Sequence, residues 1–277
     1  MGKIYEFLLK DENLGYNGLN SEKKIYVYTP DRYGLLKIKD YPVIYSFDAQ
    51  NLLCDQDNYK CEAKDSVKLD EICRDKNYPA VIVGICNNEG EMVRNRQLTL
   101  SSDFGPLVSE SLEAGYKLGT LEKTEQFVLN TLLPFVKSKF NVTSNPAETT
   151  IMGASSGGLA SFYIGTKNPQ IFGNVVALSP ATPLYFTRDW EKHFKSIKVD
   201  KDQKVLIYCG YNKNDQLECM LYNALGKSQI FSADKIRKNL LKWGFKEENV
   251  KEVFDKDAYH NEFYWNKALS GTLDFII

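Results

Sequence analysis

The chain has 277 residues, 43% of them hydrophobic and 26% charged, and its 35 Lys and Arg against 36 Asp and Glu leave a formal net charge of −1. That is enough apolar material for one large core, so residues 1–277 read as a single domain, and the charge balance offers no footprint for nucleic acid or an acidic membrane surface. No run approaches the roughly 20 apolar residues of a membrane span, and the opening MGKIYEFLLKDENLG lacks the basic-then-apolar order of an export signal.

Along the chain, Lys24 to Thr29 (KIYVYT) alternates as a half-buried strand and stops at Pro30-Asp31 and Gly34. Tyr41 to Phe47 (YPVIYSF) is a continuous apolar run, the pattern of a central strand covered on both faces, and Asp48-Ala49-Gln50-Asn51 follows at its carboxyl end. Val67, Leu69, Ile72 and Cys73 suggest a helix before the strand Ala80 to Ile85, which makes a β-α-β unit. Asn87 to Gly119 is a long polar stretch containing Arg94, Arg96, Asp103 and Tyr116. Loops of that length in compact enzymes often belong to the site. Glu122 to Phe140 has helical spacing with a kink at Pro134. Strands follow at Thr149 to Met152, Val175 to Leu178, Lys204 to Cys209 and Val250 to Phe254, with a helix at Ala233 to Trp243. This alternation predicts an α/β fold with a mainly parallel central sheet flanked by helices on both faces.

The decisive stretch is Gly153-Ala154-Ser155-Ser156-Gly157, a G-x-S-x-G followed by Gly158. It lies between an apolar strand and a helix marked by Leu159, Phe162 and Tyr163 and ended by Asn168-Pro169. A serine on such a strand-to-helix elbow is held in a strained conformation with its hydroxyl exposed, and the glycines avoid collisions of a Cβ with the neighbouring strand and helix. A serine hydroxyl is a weak nucleophile and needs a base, usually a histidine held by a carboxylate. The chain has two histidines, His193 and His260. His193, in DWEKHFKS, reads as a surface helix residue; His260 lies directly after the last strand, where the order Ser, acid, His puts the base. The acid stays open: Asp215 in the loop after KVLIYC is preferred, with Glu218, Glu262 or no close carboxylate as alternatives. The oxyanion hole falls to the backbone N–H of Ser156 and of the Ala49-Gln50 corner.

These residues resemble the Putative esterase family of α/β-hydrolases, which takes in esterase D-like S-formylglutathione hydrolases, ferric-siderophore esterases, feruloyl esterases and mycolyltransferases. The resemblance covers nearly the whole chain. It rests on Tyr41 to Tyr45 leading to Asp48-Ala49-Gln50, on Arg94 with Leu98-Thr99, on Phe135 to Val142, on the elbow with Gly157-Gly158 and Asn168-Pro169, on Ser179-Pro180, and above all on His260-Asn261-Glu262 with Trp265. It implies Ser155 as nucleophile, His260 as base, and the backbone of Gln50 and Ser156 as the oxyanion hole. Ala49 departs from the family's usual glycine, and GYNKND around Asp215 matches only loosely.

The resulting expectation is a serine carboxylesterase acting on a small-molecule ester through an acyl-enzyme, with no metal or organic cofactor. Siderophore trilactone esterase, S-formylglutathione-type thioesterase, acyltransferase and inactive hydrolase-fold binding module are the alternatives. Arg94 is a candidate for a substrate carboxylate or for bracing its loop, and Tyr185, Phe186, Tyr259 and Trp265 are candidates for the pocket wall. Cys54, Cys61, Cys73, Cys86, Cys209 and Cys219 lack C-x-x-C spacing and read as thiols of a cytoplasmic protein, with a disulfide or metal among the first three the lesser reading. Asn141-Val142-Thr143 fits a glycosylation acceptor, which carries no meaning in that compartment. Self-association is left open.

Overall fold

The computed structural model describes residues 2–14, 21–35, 38–53, 66–87, 91–100, 119–217, 219 and 229–277. Cys54, Cys61, Asp103, Tyr116 and Glu218 lie outside them.

Among the described residues, eight strands form one sheet: β1 (Lys3–Lys10), β2 (Glu22–Thr29), β3 (Val43–Phe47), β4 (Val81–Ile85), β5 (Thr149–Ala154), β6 (Asn174–Leu178), β7 (Lys204–Gly210) and β8 (Val250–Asp255). Their spatial order is β1-β2-β4-β3-β5-β6-β7-β8. β1 pairs antiparallel with β2 and β2 with β4, while every pair from β4 to β8 is parallel. The central strands β3, β4, β5 and β6 are buried along their length except for Ala154 at the end of β5, as a sheet covered on both faces requires.

Two apolar clusters, one on each face, follow from the period of two along each strand. Val43, Tyr45, Val81, Val83, Ile151, Val175 and Val205 belong to one, and Ile44, Ile82, Met152, Val176 and Leu206 to the other. The first is covered by α3 (Leu121–Phe127), α4 (Leu133–Lys139), α5 (Ser156–Lys167), α6 (Thr187–Ser196) and α7 (Gln229–Lys242). The second is covered by α1 (Leu69–Asp75) and α8 (Glu262–Thr272). A further helix, α2 (Glu91–Leu98), falls inside the long polar stretch.

Three elements depart from the sequence expectation. β1 was not anticipated, although Tyr5 and Phe7 alternate inward and pack edge-on against Phe140 and Phe135. α2 has no apolar stripe, because it docks through polar side chains. The kink expected at Pro134 becomes a wide turn, Val128–Leu132, in which the N–H of Leu133 reaches back to the carbonyl of Val128. That turn sits just before the proline, which cannot donate and so opens α4. Among the described residues, no helix is long and apolar enough to cross a membrane.

Candidate active site

The carboxyl ends of three neighbouring strands each pass directly into a non-glycine residue with positive φ: Asp48 (59°) after β3, Ser155 (57°) after β5 and Ser179 (41°) after β6. Such conformations cost on the order of 1–3 kcal/mol each and persist only where the surroundings over-determine them. At Ser155 the surroundings are visible. Its N–H donates to Leu178 O at 2.9 Å, and its carbonyl accepts from Ala181 and Leu159, each at 3.0 Å. A Cβ on Gly153 would lie 2.5 Å from the backbone of Gly157, which is why the elbow cannot be built without that glycine.

Ser155 is the N-cap of α5 and opens into a cavity of about 440 Å³. His260 lines the same cavity, as do Asp48, Gln50, Asn51, Asn87, Arg94 and Glu262, with Leu52, Val67, Met152, Leu178 and Trp265 making an apolar wall. That wall belongs to the apolar cluster under α1 and α8, so the cavity is an opening into one face of the core.

His260 comes to the cavity on a loop fastened to the loop after β7. Tyr211 N–H donates to Asp255 O and Asn212 N–H to Ala258 O, both at 3.0 Å, prolonging the β7–β8 contact beyond the strands. Asp215 is 7% exposed, and its two oxygens are bonded to main chain: Oδ1 accepts from Leu217 N–H at 2.8 Å and Oδ2 from His260 N–H at 2.7 Å. Burial pulls the His260 imidazole down to about 4, with the Asp215 carboxylate opposing the drop and the Arg94 guanidinium adding to it. The Trp265 ring stands edge-on to the imidazole at 5.1 Å, and its Nε1–H donates to Ser179 Oγ at 3.2 Å. Glu262, the other described candidate acid, accepts Asn51 Nδ2–H at 3.0 Å on Oε1.

Gln50 sits in the 3₁₀ turn Ala49–Asn51, and its Oε1 accepts the N–H of Asn87 at 3.2 Å. Ser156 is the first residue of α5. Helix geometry leaves the leading N–H groups of both elements without an intrahelical acceptor. The Ala49 methyl, where a glycine would be usual for the resemblance, finds its space over β4: a Cβ on Gly84 would come 2.7 Å from it.

A family model described as "Putative esterase" matches residues 17–276. The chain belongs to this esterase family. A protein of Bacillus subtilis (strain 168), "Uncharacterized protein YbbA", is 24% identical over 149 residues, which are 54% of this chain and 57% of that protein. Among solved structures, a ferulic acid esterase superposes with a TM-score of 0.63 at 18% identity, covering 99% of this chain and 98% of that one. The BES protein from Bacillus cereus gives 0.66 at 21% identity, covering 99% and 94%. The enterobactin esterase FES from Shigella flexneri, solved in the presence of enterobactin, gives 0.67 at 17% identity, covering 99% of this chain and 58% of that one. These likenesses establish the α/β-hydrolase fold for this member of the esterase family.

Not every candidate converges on the cavity. Tyr185 is a core residue, 2% exposed: its hydroxyl accepts Leu100 N–H at 3.0 Å and its ring packs edge-on against Trp190. It is absent from the cavity wall, because the turn Thr182–Leu184 directs it inward under α6. Phe186 instead lies under the Arg188 guanidinium, 4.6 Å away, and Tyr259 packs on Tyr264. His193 is helical as expected but not on the surface. It is 4% exposed among Tyr163, Trp190 and Phe194, within 3.1 Å of Thr166 Oγ1, and burial together with the Lys167 charge lowers it to about 3. Arg94 lines the cavity but spends its fork on Asp48, with Nε to Oδ1 at 2.6 Å and Nη2 to Oδ2 at 2.7 Å.

Sequence reading did not single out Asn95, whose Oδ1 accepts from Ser156 Oγ at 2.9 Å and from Arg94 Nη1 at 3.3 Å. Its adjacency to Arg94 was the available signal. Cys73 is buried, which pushes its thiol up to about 12, and among the described residues no group of three His, Cys, Asp or Glu is placed to hold a metal.

Proposed function

We propose that the chain is a serine carboxylesterase with Ser155 as nucleophile and His260 as general base. The observation that carries this reading is that Ser155, strained at the N-cap of α5, and His260 open into one cavity at the carboxyl ends of the central strands.

In this reading Ser155 Oγ attacks the ester carbonyl carbon and passes its proton to the His260 imidazole. An imidazole held near 4 is neutral, and so able to accept, at any pH near neutrality. The oxyanion takes hydrogen bonds from the backbone N–H groups of Gln50 and Ser156, at the start of a turn and of a helix, where such groups face outward. As the intermediate collapses, the C–O bond breaks and the alcohol leaves with the proton from His260. Water then adds to the acyl-enzyme, giving its proton to His260, and the carboxylic acid departs with Ser155 restored. Asp215 supports the base in two ways: it holds the His260 main chain, and its charge favours the imidazolium.

A cavity of about 440 Å³ with one apolar wall suits a carboxylic ester with a compact hydrophobic acyl or alcohol part. Feruloyl esters and the enterobactin trilactone, named for the structural neighbours, are the first substrates to assay beside short-chain aryl esters.

The test is intact-mass labelling with a fluorophosphonate on wild type, Ser155→Ala and His260→Ala. One adduct per wild-type chain, lost in both variants, is the expected result. A folded wild type that takes no label would overturn the enzyme reading in favour of a binding module.

A further inference from the structure

Asp48 and Arg94 meet in the cavity wall, 12% and 18% exposed at their side chains. A Cβ on Gly157 would lie 2.8 Å from Asp48 Oδ2, so the carboxylate rests against the first turn of α5, beside Ser156. Asp48 is also the residue immediately before the turn that carries Gln50, although its side chain makes no capping hydrogen bond there. The carboxylate thus borders the first turn of α5 and belongs to the residue before the Gln50 turn, the two elements whose N–H groups are assigned above to the oxyanion, so left uncompensated it would oppose the charge that develops during attack.

The carboxylate belongs to the residue that makes the corner. Its residue adopts φ 59°, ψ 49°, a left-handed conformation that Asp and Asn accept better than other side chains. The guanidinium that meets it continues to Asn95 Oδ1, which also holds Ser156 Oγ. One arginine therefore touches the corner carrying Gln50 and, through Asn95, the residue after the nucleophile.

We infer that Arg94 is a charge-compensating positioning residue: it cancels Asp48, so that the carboxylate of the corner residue can stand near the oxyanion without opposing it. This rests on the serine reading of the same site. It differs from simple bracing in one respect. A brace makes the two partners of the pair equally necessary, whereas compensation makes the cation necessary only while the carboxylate is present.

The experiment measures the rate of fluorophosphonate labelling by intact mass, with maximal rate and half-saturation separated, in wild type, Arg94→Gln, Arg94→Lys, Asp48→Asn and the Asp48→Asn/Arg94→Gln pair. In labelling, Ser155 Oγ bonds to phosphorus, fluoride leaves and the serine proton passes to His260, so no ester need be known. Arg94→Gln is expected to lower the maximal rate by about 10²-fold with little change in half-saturation. Arg94→Lys, which keeps the charge but not the fork, stays within about tenfold of wild type. The double variant recovers to within about threefold, because Asn retains the left-handed corner with no charge to cancel.

A double variant as slow as Arg94→Gln, or Asp48→Asn alone as damaging as Arg94→Gln, would overturn the inference in favour of bracing. Thermal midpoints of each protein separate loss of fold from loss of rate. If Arg94→Gln does not fold, the Arg94→Lys and double-variant rates decide alone. A folded wild type that does not label at all fails the serine reading, and this inference with it.

Discussion

Asn51 Nδ2 donates to Glu262 Oε1 at 3.0 Å across 211 positions of chain, and so ties the corner after β3 to the loop that carries His260. Two groups that act on the same carbonyl in the proposed mechanism are thereby held at one separation. The Glu262 carboxylate thus bonds the corner, while the proposed mechanism gives the base to Asp215. Glu262→Gln, which keeps an acceptor oxygen, is expected to stay within about threefold of wild type in labelling rate, and Glu262→Ala to lose about tenfold. A Glu262→Gln loss as large as that of Asp215→Asn would make Glu262 the acid.

Asp215 accepts two backbone N–H groups while buried. Asn can present one oxygen but must turn its NH₂ toward the other donor. Asp215→Asn is therefore expected to cost about 1–3 kcal/mol in urea unfolding. It should also lower the labelling rate by about 10²–10⁴-fold through loss of the charge behind the imidazole. Unchanged stability would mean that neither bond matters to the fold.

Both histidines are held neutral, His260 near 4 and His193 near 3, against about 6.5 in an unfolded chain. Below pH 6.5 the unfolded chain binds protons that the folded one refuses, so stability is complete above that pH and drains away as pH falls toward 4 and then 3. The total for His193 is on the order of a few kcal/mol. His193→Phe, in its aromatic surroundings, should flatten the fall in urea midpoint between pH 7.5 and pH 5. An unaltered slope would locate the acid sensitivity elsewhere. The acid limb of kcat/KM on any ester the wild type turns over should lie nearer pH 4 than 6.5, and His193→Phe should not move it.

The fit between Ala49 and Gly84 predicts a compensating exchange. A methyl on Gly84 would stand 2.7 Å from the Ala49 Cβ, between β4 and the turn that follows its paired neighbour β3. Gly84→Ala should destabilise by about 1–3 kcal/mol, and Ala49→Gly/Gly84→Ala should recover most of it. Equal unfolding midpoints for single and double variants would refute the pairing.

How much of the molecule was legible in its sequence depended on the range of the interaction. The elbow is a local object: glycine spacing, a buried strand before it and a helical stripe after it are all contained in 149–167, and the backbone strain at Ser155 follows from them. The parallel strands were legible for the same reason, since burial on both faces writes itself as an unbroken apolar run. β1 and α2 were not anticipated, the first being an edge strand with a mixed pattern and the second docking through Arg94 and Asn95.

Chain order sufficed to set His260 after the last strand, but it could not say which carboxylate lies behind it. That depends on how the loops after β7 and β8 zip together through main-chain bonds, which any side chains could flank. Tyr185 and His193 make the same point in reverse. An aromatic and an imidazole carry no mark of their depth, and only the packing of α6 against the sheet turned both inward. The sequence by itself thus determined the buried parallel strands, the strained serine and the place of its histidine, because these follow from steric and apolar patterns within a few residues and from chain order. The tertiary structure alone decided that Arg94 meets Asp48, Asn95 meets Ser156 and Asn51 meets Glu262, because a polar side chain's partner is set by geometry across the chain.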